Sequence, residues 1–128
     1  MYPSHSRYTK DHEWVEPKGD IAVVGITDYA QNHLGDVVYI DLPAIGKVLD
    51  IHATIGSIES VKAVSEIFSP VSGEVVEVNS HLNNAPEVIN QDPHGKGWIC
   101  KLKMKNKADL DALMTAGDYE KYLEGLEG

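Results

Sequence analysis

Several ingredients are scarce in these 128 residues. Cys100 is the single cysteine, so no internal disulfide can form, and a reducing cytoplasm is the simplest setting. Basic residues number 11 against 20 acidic ones, a net charge of -9. That balance argues against nucleic acid or an anionic membrane as the partner and suits docking to basic patches on larger proteins. No stretch approaches the roughly 18 apolar residues that a membrane span needs. Met1 to Lys10 is polar, so neither a signal peptide nor an organelle transit sequence is expected there. No paired cysteines and no histidines at ligand spacing suggest a metal. There is no phosphate-binding glycine loop and no nucleophile–base pair, which leaves an enzyme reading with little support.

The chain has 42% hydrophobic and 24% charged residues, ordinary for a globular protein. Its length suits one domain over residues 1–128, with residues 1–7 expected as a flexible lead. Glu13–Glu16 and Ile21–Gly25 flank Pro17-Lys18-Gly19-Asp20, which predicts a hairpin with a four-residue turn. Thr27 can cap a short helix over Asp28–Leu34 that stops at Gly35. Asp36–Leu42 and Gly46–Leu49 predict further strands. Ser80–Gly97, rich in Asn, Pro, Gly and Asp, is expected to be irregular but anchored by Leu82, Val88 and Ile89. Gly97–Met104 alternates as a half-buried strand, which makes Cys100 a packed small hydrophobe rather than a nucleophile. Asn106 can cap a helix carrying Leu110, Leu113 and Met114 on one face and ending at Gly117. Asp118–Leu126 adds a last amphipathic turn or two, with Tyr119, Tyr122, Leu123 and Leu126 as its apolar face. Many short strands with Gly/Pro turns predict a mostly β, two-layer sandwich or small barrel with peripheral helices.

What stands out is Lys62. It lies in Glu59-Ser60-Val61-Lys62-Ala63, midway between strand-like runs at Ala53–Ile58 and Val64–Ser69. The turn contains no Gly, Asn or Pro, so its tip is held without the usual turn formers. A lysine at a hairpin tip offers its amine to a modifying enzyme. Schiff-base chemistry would need a depressed amine pKa, and the acidic neighbours Glu59 and Glu66 push the other way. Ligation to an amide would instead remove the charge. The turn resembles the hairpin tip shared by biotin and lipoyl carriers; biotin carriers typically flank the lysine with Met, and with Val61 and Ala63 in those places the resemblance favours lipoate.

Nearly the whole chain, Tyr8 to Leu123, resembles the H-protein family of the glycine cleavage system. The resemblance is carried, in order, by Tyr8-Thr9-Lys10-Asp11-His12-Glu13-Trp14-Val15, Val24–Gln31, Leu34–Val38, Glu59–Ala63, Ser69–Val75, Val88–Pro93 and Gly97-Trp98-Ile99. It implies a barrel-sandwich of the lipoyl/biotinyl-carrier kind with a C-terminal helical segment. Lipoate would be attached covalently to Lys62, with Glu59, Ser60, Val61 and Ala63 recognised by a lipoate ligase or an octanoyl/lipoyl transferase. It also implies a carrier rather than an enzyme. A pyridoxal-phosphate decarboxylase (P-protein) would load the aminomethyl group of glycine, an aminomethyltransferase (T-protein) would pass it to tetrahydrofolate, and a dihydrolipoyl dehydrogenase (L-protein) would reoxidise the dithiol. The loaded arm hydrolyses if water reaches it, so a protecting cleft is expected. In the family's pattern the cleft positions are Glu13, His33 and Glu66, the last often Asp in the family. Ile51-His52-Ala53 departs from a common Lys-Gly at a place where φ > 0 would suit glycine. Two other readings remain: an H-like relay that hands lipoyl or octanoyl groups to other complexes, and a non-lipoylated interaction module with an incidental Lys62. The acidic charge is expected to keep the chain monomeric.

Overall fold

The computed structural model describes residues 2–127; Met1 and Gly128, the ends of the expected domain, lie outside them. The strands, in order, are β1 (Arg7–Tyr8), β2 (Glu13–Lys18), β3 (Ile21–Ile26), β4 (Val37–Asp41), β5 (Val48–Leu49), β6 (Thr54–Ser60), β7 (Val64–Phe68), β8 (Gly73–Val78) and β9 (Cys100–Met104). The helices are α1 (Asp28–Leu34), α2 (Val88–Gln91) and α3 (Ala116–Glu127), with 3₁₀ turns at Ser80–Asn83 and Lys107–Ala112. Two antiparallel sheets result, one of six strands in the order β1-β2-β3-β9-β8-β5 and one of three in the order β4-β6-β7. This is the expected mostly β two-layer sandwich with short peripheral helices. No described helix is long and apolar enough to cross a membrane.

The core lies between the sheets and contains Val15, Val24, Ile40, Ile58, Ile67, Val75 and Leu102. In β9 the alternation read from the sequence is realised: Cys100, Leu102 and Met104 are buried while Lys103 faces water. Burial pushes the Cys100 thiol up to about 12, the behaviour of a packed side chain rather than a nucleophile. β3 is apolar almost throughout because both its faces are covered. Ala22, Val24 and Ile26 face the main core, and Val23 joins a second cluster with Tyr8, Trp14, Tyr119 and Leu123. Gly25 pairs with Trp14, whose indole lies across it; a Cβ there would come within 2.6 Å of the ring. The indole N–H donates to the Pro93 carbonyl at 3.0 Å.

The sequence-predicted elements are refined in four places. The first hairpin turns more tightly than expected: strand pairing continues to Lys18 and Ile21, and Gly19, at φ 64, takes the left-handed position. Ser80–Gly97 contains a 3₁₀ turn and α2, whose Leu82 and Ile89 are fully buried. Asn106 does cap, accepting from Ala108 N, but it opens a short 3₁₀ turn and the chain is extended by Leu113. The final helix begins earlier than expected: Gly117 lies inside its first turn, and the Thr115 hydroxyl accepts from Asp118 N. Of the expected apolar face of α3, Tyr119 and Leu123 are buried, Tyr122 packs at the margin and Leu126 is exposed. Tyr2 sits edge-on to Tyr8 and Tyr119, and its backbone N–H donates to Glu120. His52 has φ 70, so this position does demand the left-handed region, and its N–H donates to the Ser69 carbonyl at 2.9 Å.

Candidate functional site: the lysine hairpin and its cleft

β6 and β7 are joined by three residues, Val61, Lys62 and Ala63, so Lys62 is the apex of a hairpin. The structure explains how this turn dispenses with glycine, asparagine and proline. The buried Ser60 hydroxyl donates to the Ala63 carbonyl at 3.2 Å and accepts from the N–H groups of Lys62 and Ala63. Val61 N donates to the Asp36 carbonyl at 3.0 Å, which ties the apex to the end of α1. The side chain thus replaces the missing turn chemistry. Val61, Lys62 and Ala63 are all exposed, as is Glu59 on the flanking strand. The Lys62 stem crosses Gly35, where an added Cβ would stand 3.4 Å from Lys62 Cε. Tyr39, Glu59 and Val64 form one cross-strand row beside the apex, and all three are exposed.

A cleft of about 470 Å³ begins beside this apex. Its lining runs along Ala63, Val64, Ser65, Glu66 and Ile67 of the hairpin's second arm. Across from it stand Tyr29, Ala30, His33 and Leu34 of α1, with Ile26, Ile58 and Glu13 beneath. Glu13, His33 and Glu66, separated by up to 53 positions in sequence, therefore line one cavity. A second hollow of about 240 Å³, lined by Tyr8, Ile51, Pro70 and Leu113 among others, does not adjoin Lys62. Glu13, His33 and Glu66 all line the first.

The three acid–base side chains differ in setting. Glu13 is 3% exposed. Its carboxyl accepts from the Thr9 hydroxyl at 2.6 Å and from Phe68 N at 3.2 Å. Burial outweighs these two donors and pushes the Glu13 carboxyl up to about 7 from 4.5. His33 is exposed, stacked on Tyr29 at 4.1 Å between ring centroids, and its Nδ1–H donates to the Tyr29 carbonyl. That assignment leaves Nε2 as the ring's other polar atom. Glu66 is also exposed: it pairs with Ser57 on the outer face, while its neighbour Ser65 pairs with Ile58 on the inner one. It stands at the cleft's rim rather than on its floor. Among the described residues, no three His, Cys, Asp or Glu side chains are gathered as a metal ion would require.

Sequence reasoning missed Thr9, the Phe68 amide, Ser65 and the Tyr29 ring. Only the carboxylate-binding use of Thr9 had any local signal, its i to i+4 spacing from Glu13. Behind Glu13, His12 Nδ1 and the Thr27 hydroxyl both meet the Tyr119 hydroxyl at 2.8 Å, which seals the rear of the site against α3.

A buried carboxyl can be tested by its effect on folding. The raised value means that Glu13's contribution to stability is fully present below pH 4.5 and is lost as pH rises through about 7. His12 and His94, both lowered by burial, act in the opposite sense, since the stability of their neutral forms is lost as pH falls below 6.5. The difference between wild type and Glu13→Gln isolates the carboxyl. Wild-type stability relative to that variant should fall by about 3 kcal/mol between pH 4.5 and pH 8 in urea unfolding. Parallel curves would show that Glu13 titrates as an ordinary surface carboxylate.

A six-strand and three-strand sandwich that holds a single exposed lysine at a hairpin apex defines the chain as a lipoyl-carrier-like barrel-sandwich protein. The comparisons make the class specific. The family model described as Glycine cleavage H-protein matches residues 6–126. A glycine cleavage system H protein of Xanthobacter autotrophicus is 56% identical over 120 residues, covering 94% of this chain and 96% of that protein. One from Thermus thermophilus is 52% identical over 122 residues, covering 95% of each. The crystal structure of a glycine cleavage system H protein from Mycobacterium marinum superposes with a TM-score of 0.88 at 35% identity, over 96% of this chain and 99% of that one. The chain belongs to the glycine cleavage H-protein family.

Proposed function

We propose that lipoate is joined by an amide to Lys62 and that the adjoining cleft shelters the arm between partner enzymes. As a member of its family the chain is a lipoyl carrier in glycine cleavage, a protein that serves catalysts rather than one that turns over substrate. The observation that carries the attachment reading is the exposed Lys62 amine at the apex of a three-residue hairpin loop, at the mouth of a cleft that ends on a carboxyl. The residues present fit the group: a primary amine for the amide, then a cleft of about 470 Å³ with Ile26, Leu34, Ile58 and Ile67 among its lining. When bound, lipoate supplies a disulfide able to accept the aminomethyl unit of glycine and, as the dithiol, to give up two electrons.

The chain's own residues do the rest. Ser60 and the Asp36 carbonyl hold the apex so that an attaching enzyme, a lipoate ligase or an octanoyl/lipoyl transferase, meets Lys62 in one presentation. Exposed Glu59, Val61 and Ala63 supply the contacts around it, and buried Ser60 contributes by shaping the turn. Ile26, Ile58 and Ile67 exclude water from the cleft floor. Glu13, once ionised, offers the charge that an ammonium needs in a dry site, and His33 and Glu66 flank the mouth. Tethering keeps the reactive end at high local concentration while P-protein, T-protein and L-protein dock in turn. The net charge of -9 steers those encounters and opposes self-association, so the free carrier is a monomer working in the cytoplasm.

The test is reconstitution. With purified P-protein, T-protein and L-protein, tetrahydrofolate, NAD and glycine, the lipoylated chain should support NADH formation, and the unmodified chain should give none above background. Equal rates with and without the modification would refute the carrier mechanism.

A further inference from the structure

Behind the cleft, the chain folds back on itself between β1 and β2 around one hydroxyl. Thr9 N donates to the Glu13 carbonyl at 3.0 Å, and His12 N donates to the Thr9 carbonyl at 3.1 Å. His12 takes φ 71 to close this loop. Inside it, the Thr9 hydroxyl oxygen accepts from Asp11 N at 3.2 Å and from Glu13 N at 3.1 Å. A hydroxyl has two acceptor positions and one proton. With both lone pairs taken, its proton is directed to Glu13 Oε1, 2.6 Å away. That length marks a short O–H···O bond, of the kind that gains strength when the carboxylate is ionised. Phe68 N, from β7, holds Oε2 at 3.2 Å. Two donors from two elements, one on each oxygen, set the rotation of the carboxyl.

These donors work against the surroundings. Thr9 is 8% exposed and Glu13 3%, and Ile26, Ile58 and Ile67 share the cleft with Glu13. An apolar wall favours the protonated acid, which could give no charge to a cation. The charged and titratable groups sharing the cleft with Glu13 are Asp11 and His12 from its own loop, Tyr29 and His33 from α1 and Glu66 from β7. None of the five is a fixed cation that would keep it ionised.

We infer that the Thr9 hydroxyl is the positioning group for Glu13: it aims the carboxylate into the cleft and lets it carry negative charge there, so that the cleft can receive a cationic cargo. The assignment rests on the reading that the cleft shelters the loaded arm. Thr9 itself acts only through Glu13. The side chain was visible in the sequence as part of Thr9-Lys10-Asp11-His12-Glu13, but it had no role until the loop closed.

The experiment is a ¹³C NMR titration of the Glu13 side-chain carboxyl in the unmodified protein, with its signal assigned by its loss in Glu13→Gln. Thr9→Val keeps the shape and removes the hydroxyl. Its Glu13 midpoint should rise by about one unit or more, roughly a tenfold loss of ionised Glu13 at a fixed pH below both midpoints. Thr9→Ser restores the hydroxyl and should return the midpoint to the wild-type value. A Thr9→Val midpoint equal to wild type overturns the inference, and so does a Thr9→Ser midpoint that stays with valine. Valine also deprives two backbone N–H groups of an acceptor and could loosen the loop. The unaltered chain therefore supplies a second readout: the Thr9 hydroxyl proton should exchange slowly, and its chemical shift should follow the Glu13 midpoint. A rapidly exchanging hydroxyl overturns the inference as well. Neither readout uses lipoylated protein. A chain that cannot be lipoylated but titrates as described refutes the carrier reading alone, and a lipoylated carrier whose valine variant titrates as wild type refutes the role of Thr9 alone.

Discussion

Incubation with a lipoate ligase, lipoate and ATP should add one lipoyl group to this chain, mapped by mass spectrometry to Lys62, and Lys62→Arg should stay unmodified. The expected effect is complete. A guanidinium is protonated at every accessible pH and has no free lone pair with which to attack an activated acyl group, whereas the exposed ammonium of a lysine can lose its proton. The substitution leaves the scaffold intact, because the hairpin apex is held by the Ser60 hydroxyl, the Asp36 carbonyl and backbone N–H groups. The Lys62 side chain contributes no hydrogen bond to that arrangement, so stability should change by no more than about 0.5 kcal/mol. Loss of modification with an unchanged melting curve separates loss of the acceptor from loss of the fold. A folded wild type that stays unmodified, also with an octanoyltransferase, would remove the shuttle mechanism and leave an interaction module.

Gly56→Ala should be the most damaging single methyl group in the hairpin's own sheet. Gly56 sits in β6, the central strand between β4 and β7, at an irregularity in the β6–β7 register. A Cβ there would overlap the Asp41 carbonyl oxygen and stand 3.1 Å from its carbon. Both are backbone atoms of β4, so no side-chain rotation relieves the overlap; the strands must part. That separation strains the pairing of Ile40 with Ile58 and Asp41 with Ser57, on which the position of the lysine apex depends. We expect a loss of about 3 kcal/mol or more, a drop of roughly 10 °C in melting temperature at this size. Lipoylation should slow as well, since β6 leads directly into Lys62. A melting temperature within a degree or two of wild type would show that β4 yields without cost.

Much of this protein was legible in one dimension because its elements repeat with short periods. Alternation in Gly97–Met104 foretold β9, and Thr27 and Gly35 marked both ends of α1, where the Thr27 hydroxyl does accept from Ala30 N and Gly35 takes φ 80. The left-handed conformation of His52, at φ 70, was foreseen only through the resemblance, since the family often has glycine there. The C-terminal region was less so. A capped, apolar-faced run at Asn106 fits an α-helix or a 3₁₀ turn equally well, and the choice followed from where Leu110 and Leu113 meet the core. Helix boundaries near Gly117 were misplaced for the same reason: the cap is Thr115, and a glycine in a first turn looks like a stop only when nothing beyond it is seen.

By itself the sequence determined the family, the two-layer β class and the lysine, since these depend on residue order, period and a short motif around Lys62. Tertiary structure alone decided how that lysine is held and what stands beside it. The bonds of the Ser60 hydroxyl are local to the turn, but the apex is fixed to the body only through Val61 N and the Asp36 carbonyl, 25 positions apart. Glu13 becomes a carboxyl poised near neutrality only because folding buries it, which raises its pKa, while Thr9 and Phe68, the latter 55 positions away, donate to it and pull the other way. His33 and Glu66 share its cleft because α1 and β7 pack across from each other. Charge state and water exclusion depend on distances between segments remote in the chain, and no local pattern encodes those distances.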